Sequence, residues 1–352
     1  MTSTRWIAAC LAGCVAGHVV ACGNPADDRD DPSTSVPFTA SAAGGTTTGE
    51  ATDVMVDTGD KLDVSQADGT MGAEDGGNGE GCQKVDFLFV IDSSASMQDE
   101  QDNLLTSFPG FITAIEETLM IDDFHVMVID AGLIAGAGCD GVLGAGRVTS
   151  GNGVGCMLVG GQRYATVEQP DLVETFTCIG SRGFAGPGDE QTMSSLLSSV
   201  GPLVAPGQCN EGFMRDDAIL VVTIISDEED DAADIVPVPP LDGSCVPADA
   251  DPNSPGDPVG WKAGLVAAKG GNEEAVVVLS LVGDCDVGGD CPGIELVGSG
   301  YTGAEPAPRI RAFTESFVYG SVGPVCAPDY APFFEQAVSV IETACDEFVP
   351  QG

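Results

Sequence analysis

The chain has 352 residues, 43% of them hydrophobic, with a mean hydropathy of +0.14, which is enough for a substantial core and too much for a chain disordered throughout. Lys and Arg number 12 against 55 Asp and Glu, a net charge of −43 that repels nucleic acid and anionic lipid headgroups and gathers cations near the surface. Nucleic-acid binding is thereby excluded from the expected functions, and most of the acid is assigned to solubility or tolerance of salt.

Residues 1–21 carry a lone Arg5, an apolar stretch from Trp6 to Ala21 and no acid, the pattern of a secretory signal that is too short for a membrane anchor. Val19-Val20-Ala21-Cys22 resembles a bacterial lipobox, in which the cysteine is acylated and becomes the first residue. Leu11-Ala12-Gly13-Cys14 fits the letters better but leaves an apolar core of only about eight residues. Parity chooses between them. Cleavage before Cys22 leaves ten other cysteines, Cys82, Cys139, Cys156, Cys178, Cys209, Cys245, Cys285, Cys291, Cys326 and Cys345, an even number suited to an oxidised framework. Without Cys-x-x-Cys, and with His125 alone surviving processing, zinc is a poor alternative. Residues 22–81 are Gly, Ser, Thr, Ala and Asp with few bulky apolar side chains, and read as an acidic, disordered tether with a reach of roughly 40 Å.

The folded domain is expected over 82–352. Runs 86–91, 124–129, 218–225 and 275–282 are apolar with little alternation, as in strands covered on both faces. Leu104, Phe108, Ile112, Ile115 and Leu119 recur at helical spacing, as do Phe334, Ala337, Ile341, Cys345 and Phe348. Pro109 is expected to kink or split the first of these helices. Strands alternating with amphipathic helices predict an α/β domain with a mostly parallel central sheet and helices on both faces, stabilised by disulfides. Two loops, 132–161 and 236–260, interrupt the alternation. The expected cross-links are Cys139–Cys156, Cys285–Cys291 and Cys326–Cys345, with Cys245 tying down the second loop.

Chemistry concentrates where the apolar runs end. Asp92-Ser93-Ser94-Ala95-Ser96 follows the first, placing a carboxylate and hydroxyls on one tight turn, and these hard donors hold Mg²⁺ or Ca²⁺. Ser226-Asp227-Glu228-Glu229-Asp230 follows the third, and in an open parallel sheet ligands gather outside the carboxyl ends of the strands. The bland reading, a capped helix and a turn aspartate, explains one hydroxyl but not the set.

At these residues the chain resembles the von Willebrand factor A (vWA) domain, a Rossmann-like α/β fold, over roughly residues 82–348. It looks closest to the lipid-anchored vWA proteins of Gram-negative bacteria. Asp92, Ser94 and Ser96 match the Asp-x-Ser-x-Ser of the family's metal-ion-dependent adhesion site. Asp227 matches its later metal-linked aspartate, with Glu228 in place of the usual glycine. The third loop, commonly the source of a threonine, here reads Gly186-Pro187-Gly188-Asp189-Glu190-Gln191-Thr192, so the third ligand lies among Asp189, Glu190 and Thr192. Asp189 and Glu190 read equally well as the acidic first turn of a helix. The resemblance implies a divalent cation, Mg²⁺ or Ca²⁺, with the serines contacting it directly, the aspartates acting mainly through water, and a partner's carboxylate completing the shell.

Asp249 to Asp257 has alternating donors like a calcium loop but lacks its turn glycine and final Glu, and is read as an acidic surface loop. His125 lies in an apolar strand and is read as a satisfied core histidine, which leaves no His-dependent nucleophile, and no phosphate loop or His-Glu-x-x-His occurs. The expected protein is therefore no enzyme. It is a lipid-anchored cell-envelope domain, at the outer membrane or cell surface, binding a protein or surface polymer through the ion, with the membrane reached by the anchor alone. The alternatives are an envelope scaffold that uses the ion only for stability and a carboxylate-dependent hydrolase.

Overall fold

A computed structural model of the chain describes residues 82–118, 121, 123–188, 190–230, 256–284, 291–297 and 300–349. The expected signal, Cys22, the tether, Asp189, Cys245, Cys285 and the acidic run 249–255 lie outside the described residues.

The four apolar runs form strands β1 (Lys84–Ile91), β2 (Asp123–Asp130), β4 (Ile219–Ile225) and β5 (Val276–Val282), of which β4 and β5 are buried along their whole length. Two edge strands complete a six-stranded sheet: β3 (Ala165–Thr166) and β8 (Tyr319–Pro324), in the order β3-β2-β1-β4-β5-β8. All pairings are parallel except the short β2–β3 edge. A separate antiparallel pair joins β6 (Glu295–Val297) to β7 (Gly300–Thr302).

Side-chain parity along each strand divides the core in two, because successive residues point to opposite faces. Val85, Phe87, Phe89 and Ile91 of β1 face the helices α1 (Gln98–Thr118), α2 (Leu172–Gly180) and α6 (Ala331–Glu347). Leu88 and Val90 face α3 (Thr192–Val200), α4 (Pro258–Ala268) and α5 (Pro308–Glu315). The sheet is thus covered on both sides, and each helix buries one apolar stripe.

Pro109 does not split α1, which is continuous from Gln98 to Thr118. A proline inside a helix costs about 3 kcal/mol through its lost N–H and ring clash. Phe108 and Phe111, on either side of it, are buried against Phe89, Phe176 and Phe334. Burying each such ring contributes about 1.5–3 kcal/mol, so packing offsets the break.

Among the described residues, four disulfides join Cys82–Cys345, Cys139–Cys209, Cys156–Cys178 and Cys291–Cys326. None of the three sequence-based pairings occurs. Cys139 and Cys156 do not close the 132–161 loop on itself; each ties it outward, to the segment before β4 and to α2. Cys291 is taken by Cys326, which removes both Cys285–Cys291 and Cys326–Cys345. Cys345, in α6, meets Cys82 just ahead of β1, with Cα atoms 4.7 Å apart across 263 residues of sequence. Proximity along the chain misleads here because a sheet covered by crossover helices brings distant segments together.

Candidate metal centre

In the sheet order, β1 lies between β2 and β4, so the chain leaves β1 in one direction and returns on the other side. The crevice at such a reversal, beyond the carboxyl ends of the strands, is where open α/β sheets bind ligands. The last residues of β1 and β4, Ile91 and Ile225, are register partners. The Asp92 amide then donates to the Ile225 carbonyl at 2.9 Å, extending the ladder one step. Asp92 and Ser226-Asp227 therefore leave the sheet side by side.

Both oxygens of Asp92 are held. Oδ1 accepts from the Ser94 amide at 2.7 Å and Oδ2 from the Ser226 hydroxyl at 2.9 Å. The same turn sets the Ser94 and Ser96 hydroxyls 3.0 Å apart. Ser96 also donates to Glu228 Oε1 at 3.4 Å, so Glu228 adds a carboxylate at the rim. Gln101 of α1 braces the turn from behind by donating to the Asp92 carbonyl at 3.0 Å.

Asp227 differs. It is fully buried, and neither carboxylate oxygen makes a hydrogen bond. Burial, followed by the charge of Asp92, pushes its pKa up to about 8; the nearby Ser96 hydroxyl lowers it in part without reaching hydrogen-bond geometry. Asp92 is raised to about 6, chiefly by burial and also by Glu228, against the Ser94 amide. Glu100, one helical turn beyond Ser96, is also buried, with Oε2 unpartnered and its pKa raised to about 9 by burial first and by Asp99 and Asp227 after it. Buried carboxylates with empty lone pairs are costly unless a cation answers them. Two aspartates and two hydroxyls are the hard-oxygen donor set suited to Mg²⁺ or Ca²⁺. Among the described residues no three His, Cys, Asp or Glu side chains converge to hold an ion by themselves.

The third loop is pinned at both ends. The Gly186 amide donates to the Ser93 carbonyl at 2.8 Å, an approach so close that a Cβ on Gly186 would lie 2.1 Å from Ser93 Oγ. At the far end the Met193 amide, in the first turn of α3, donates to Asp230 Oδ2 at 2.7 Å. The α3 amino terminus is thus served by an acid from the β4 loop, and Gln191, its N-cap, makes no side-chain cap bond. Glu190 and Thr192 lie buried between these ties, the Thr192 hydroxyl without a hydrogen-bond partner.

His125 is remote from this edge. Its Nδ1 lies 2.7 Å from the Phe213 carbonyl and 3.5 Å from Asp86, in a cluster with Arg215 at the start of β1, and burial lowers its pKa. Asp257 caps α4, accepting from the Gly260 amide at 2.7 Å, which accounts for the end of the acidic run structurally. Sequence reasoning missed Glu100 and the orienting role of Ser226. Extending the α1 stripe back one turn from Leu104 would have found Glu100.

No family model matches the chain, and no curated protein matches it. Among solved structures it is similar to proximal thread matrix protein 1 from the mussel byssus, at 11% identity and a TM-score of 0.35, over 73% of this chain and 48% of that one. The chain thus spans about half the length of that protein, and a likeness this distant carries no argument.

Proposed function

We propose that this chain is a binding domain of the von Willebrand factor A type, holding one divalent cation through Asp92, Ser94, Ser96 and Asp227 and using it to capture a carboxylate-bearing partner outside the cytoplasm. The observation that carries the reading is Asp227: a fully buried carboxylate beside Asp92 with both oxygens unsatisfied. When bound, the ion supplies the positive centre that this acidic edge lacks. The chain's own residues orient and exclude water: Ser226 and the Ser94 amide fix Asp92, and the ties at Gly186 and Met193 hold the third loop over the site. Glu228 adds negative charge where the family has glycine, which favours Ca²⁺ at least as well as Mg²⁺. Four disulfides suit an oxidising compartment, and attachment through an acylated Cys22 belongs to the same proposal.

Calorimetric titration of Mg²⁺ and Ca²⁺ into the full chain tests it. The expected result is one site, lost in Asp92→Ala and in Asp227→Asn. Equal affinity in wild type and in the double variant Asp92→Ala, Asp227→Ala would overturn the site. A chain that binds the ion but recognises no carboxylate ligand would instead be a scaffold that uses the ion for stability.

A further inference from the structure

A cavity of about 300 Å³ opens beside the Asp92 turn, on the side of α1. Close backbone approach builds its walls. The Gly151 amide donates to the Ser181 carbonyl at 2.7 Å, and a Cβ on Gly151 would collide with the Arg182 carbonyl, so glycine is what lets these two loops meet. Cys156–Cys178 braces the same two segments. Gln101 Oε1 accepts from the Gly183 amide at 2.9 Å, and the Gly186 amide is tied to the Ser93 carbonyl. The cavity is thus formed before anything enters it, which lowers the cost of binding.

The polar groups left open to a ligand are almost all uncharged. Arg182 and Gln101 line the cavity, but both are occupied within the fold: the guanidinium by Asp130, Thr149 and Ile179, the amide by the Asp92 and Gly183 carbonyls. The Ser93 hydroxyl is buried behind the wall. There remain Gln98 and Asp102 on α1, Asn152, and Ser181 at the end of α2, and among the described residues no hydrogen bond or ion pair engages their side chains. No free cation is present for an anionic ligand, and one exposed carboxylate does not make a cation site. Two amides and a hydroxyl both donate and accept, and Asp102 adds acceptors, a set that matches ligand hydroxyls, which also do both.

The rest of the lining is apolar: Leu105, Ile134 and Phe184, the last 54% exposed. A saccharide ring meets both demands, since its hydroxyls stand around its edge while its C–H groups form an apolar face attracted to the negative face of an aromatic ring. A peptide backbone is neutral too, but its capture as a strand needs a free sheet edge, and this wall is helix and loop. At about 300 Å³ the cavity is at the small end of ligand pockets, with room for roughly one or two sugar rings. We propose that it holds a neutral sugar ring of a surface polysaccharide, with Phe184 stacked on the ring and Gln98, Asp102 and Asn152 bonding its hydroxyls. This names a polymer as the partner in the reading above, yet the cavity's own chemistry does not need the ion, so the two can fail separately.

The full chain is titrated with maltose, cellobiose, lactose and chitobiose at millimolar concentration, in Ca²⁺ and again in chelator, while its amide resonances are followed. The expected result is saturable shifts at Asn152, Ser181 and Phe184 with at least one of these sugars, alike in ion and in chelator. Phe184→Ala, a change at an exposed position that leaves the fold intact, should weaken that sugar about tenfold, and Asp102→Ala should weaken it as well. Shifts that vanish in chelator and persist in Phe184→Ala put the sugar on the ion and overturn the cavity site. Stronger shifts with capped trialanine than with any sugar overturn it in favour of a peptide. No saturable shift with any of these sugars also overturns it, and leaves the ion reading standing wherever calorimetry still finds the ion. Sugar binding by a chain that takes up no ion sustains the cavity and sinks the ion reading.

Discussion

The Ser226 hydroxyl donates to Asp92 Oδ2 at 2.9 Å, joining residues 134 positions apart in sequence. It locks the acid after β1 to the first residue after β4, so the two strand ends present one site rather than two. Ser226 itself is fully buried and bonds as well to the Glu228 backbone, which folds the second loop over the same corner.

Ser226→Ala is therefore expected to weaken divalent-ion binding more than it weakens the fold. Hydrogen bonds to charged groups contribute about 1.5–3 kcal/mol, equivalent to roughly 10- to 100-fold in affinity if all of it is lost from the bound state. Calorimetric titration beside thermal unfolding separates the two effects. Unchanged affinity would show that Asp92 is positioned by its turn alone.

Stability of the ion-free chain should fall as pH rises. Asp92 at about 6 and Asp227 at about 8 are both raised above an ordinary aspartate, so between about pH 4 and pH 8 the folded state holds more protons than the unfolded one. The stabilisation is complete below the unfolded value and is lost through the folded ones. A divalent ion competes with those protons, so its stabilising effect should grow over the upper part of that window, from about pH 6 to pH 8. Melting curves across pH, with chelator and with Ca²⁺, should diverge toward the alkaline end. Parallel curves would mean that these carboxyls are not what the ion meets.

Gly186→Ala places a methyl 2.1 Å from Ser93 Oγ and 2.7 Å from its carbonyl oxygen, so the loop must withdraw from the β1 turn. Overpacking of this kind costs about 1–3 kcal/mol. Lower melting temperature with reduced ion affinity is the expected pair of outcomes. Gly188→Ala, where a Cβ meets nothing within 4 Å, is the control.

Eight cysteines are paired among the described residues, and the even count after Cys22 predicts that Cys245 and Cys285, outside those residues, pair with each other. Non-reducing peptide mapping should recover all five links and no free thiol. Loss of Cys82–Cys345 through a double serine variant should cost about 2–5 kcal/mol. Two titratable thiols in the unfolded, unreduced chain would contradict the fifth pairing.

Most of the central sheet was legible in the sequence because β1, β2, β4 and β5 are largely buried on both faces and spell mostly apolar runs broken only by single polar residues such as Asp86, His125 and Ser280. The edge strand β8 was not: Tyr-Gly-Ser-Val-Gly-Pro alternates between buried and half-buried positions and contains the residues that usually end strands. A helix start near Asp189 and Glu190 was one of two readings, and α3 begins just beyond them at Thr192, but its core-facing positions were obscured by serines. Ser195 and Ser199 are fully buried, their hydroxyls satisfied by the carbonyls of Asp130 and Leu196, so polar letters fill core positions. Asp92, Ser94, Ser96 and Asp227 could be read as a group because they lie in the short turns that close two apolar runs. Glu100 lies one turn before Leu104 on the apolar stripe of α1, a position the spacing marks as inward-facing although its residue type does not, whereas the disulfides failed because their pairings depend on which distant segments the sheet brings together.

The link between Cys82 and Cys345 has a mechanical consequence. Cys82 stands two residues ahead of β1, and Asp92 follows the strand's last residue, so a pull applied at the amino-terminal side and resisted at the carboxyl edge of the sheet runs along the length of β1. That strand is flanked by parallel partners on both sides, so the load shears two ladders of hydrogen bonds together instead of opening them one by one. The covalent bridge to α6 shares the same load with the helix packed over the sheet. Tension along this axis would thus be borne by the doubly paired centre of the sheet before it reaches the loops at its end.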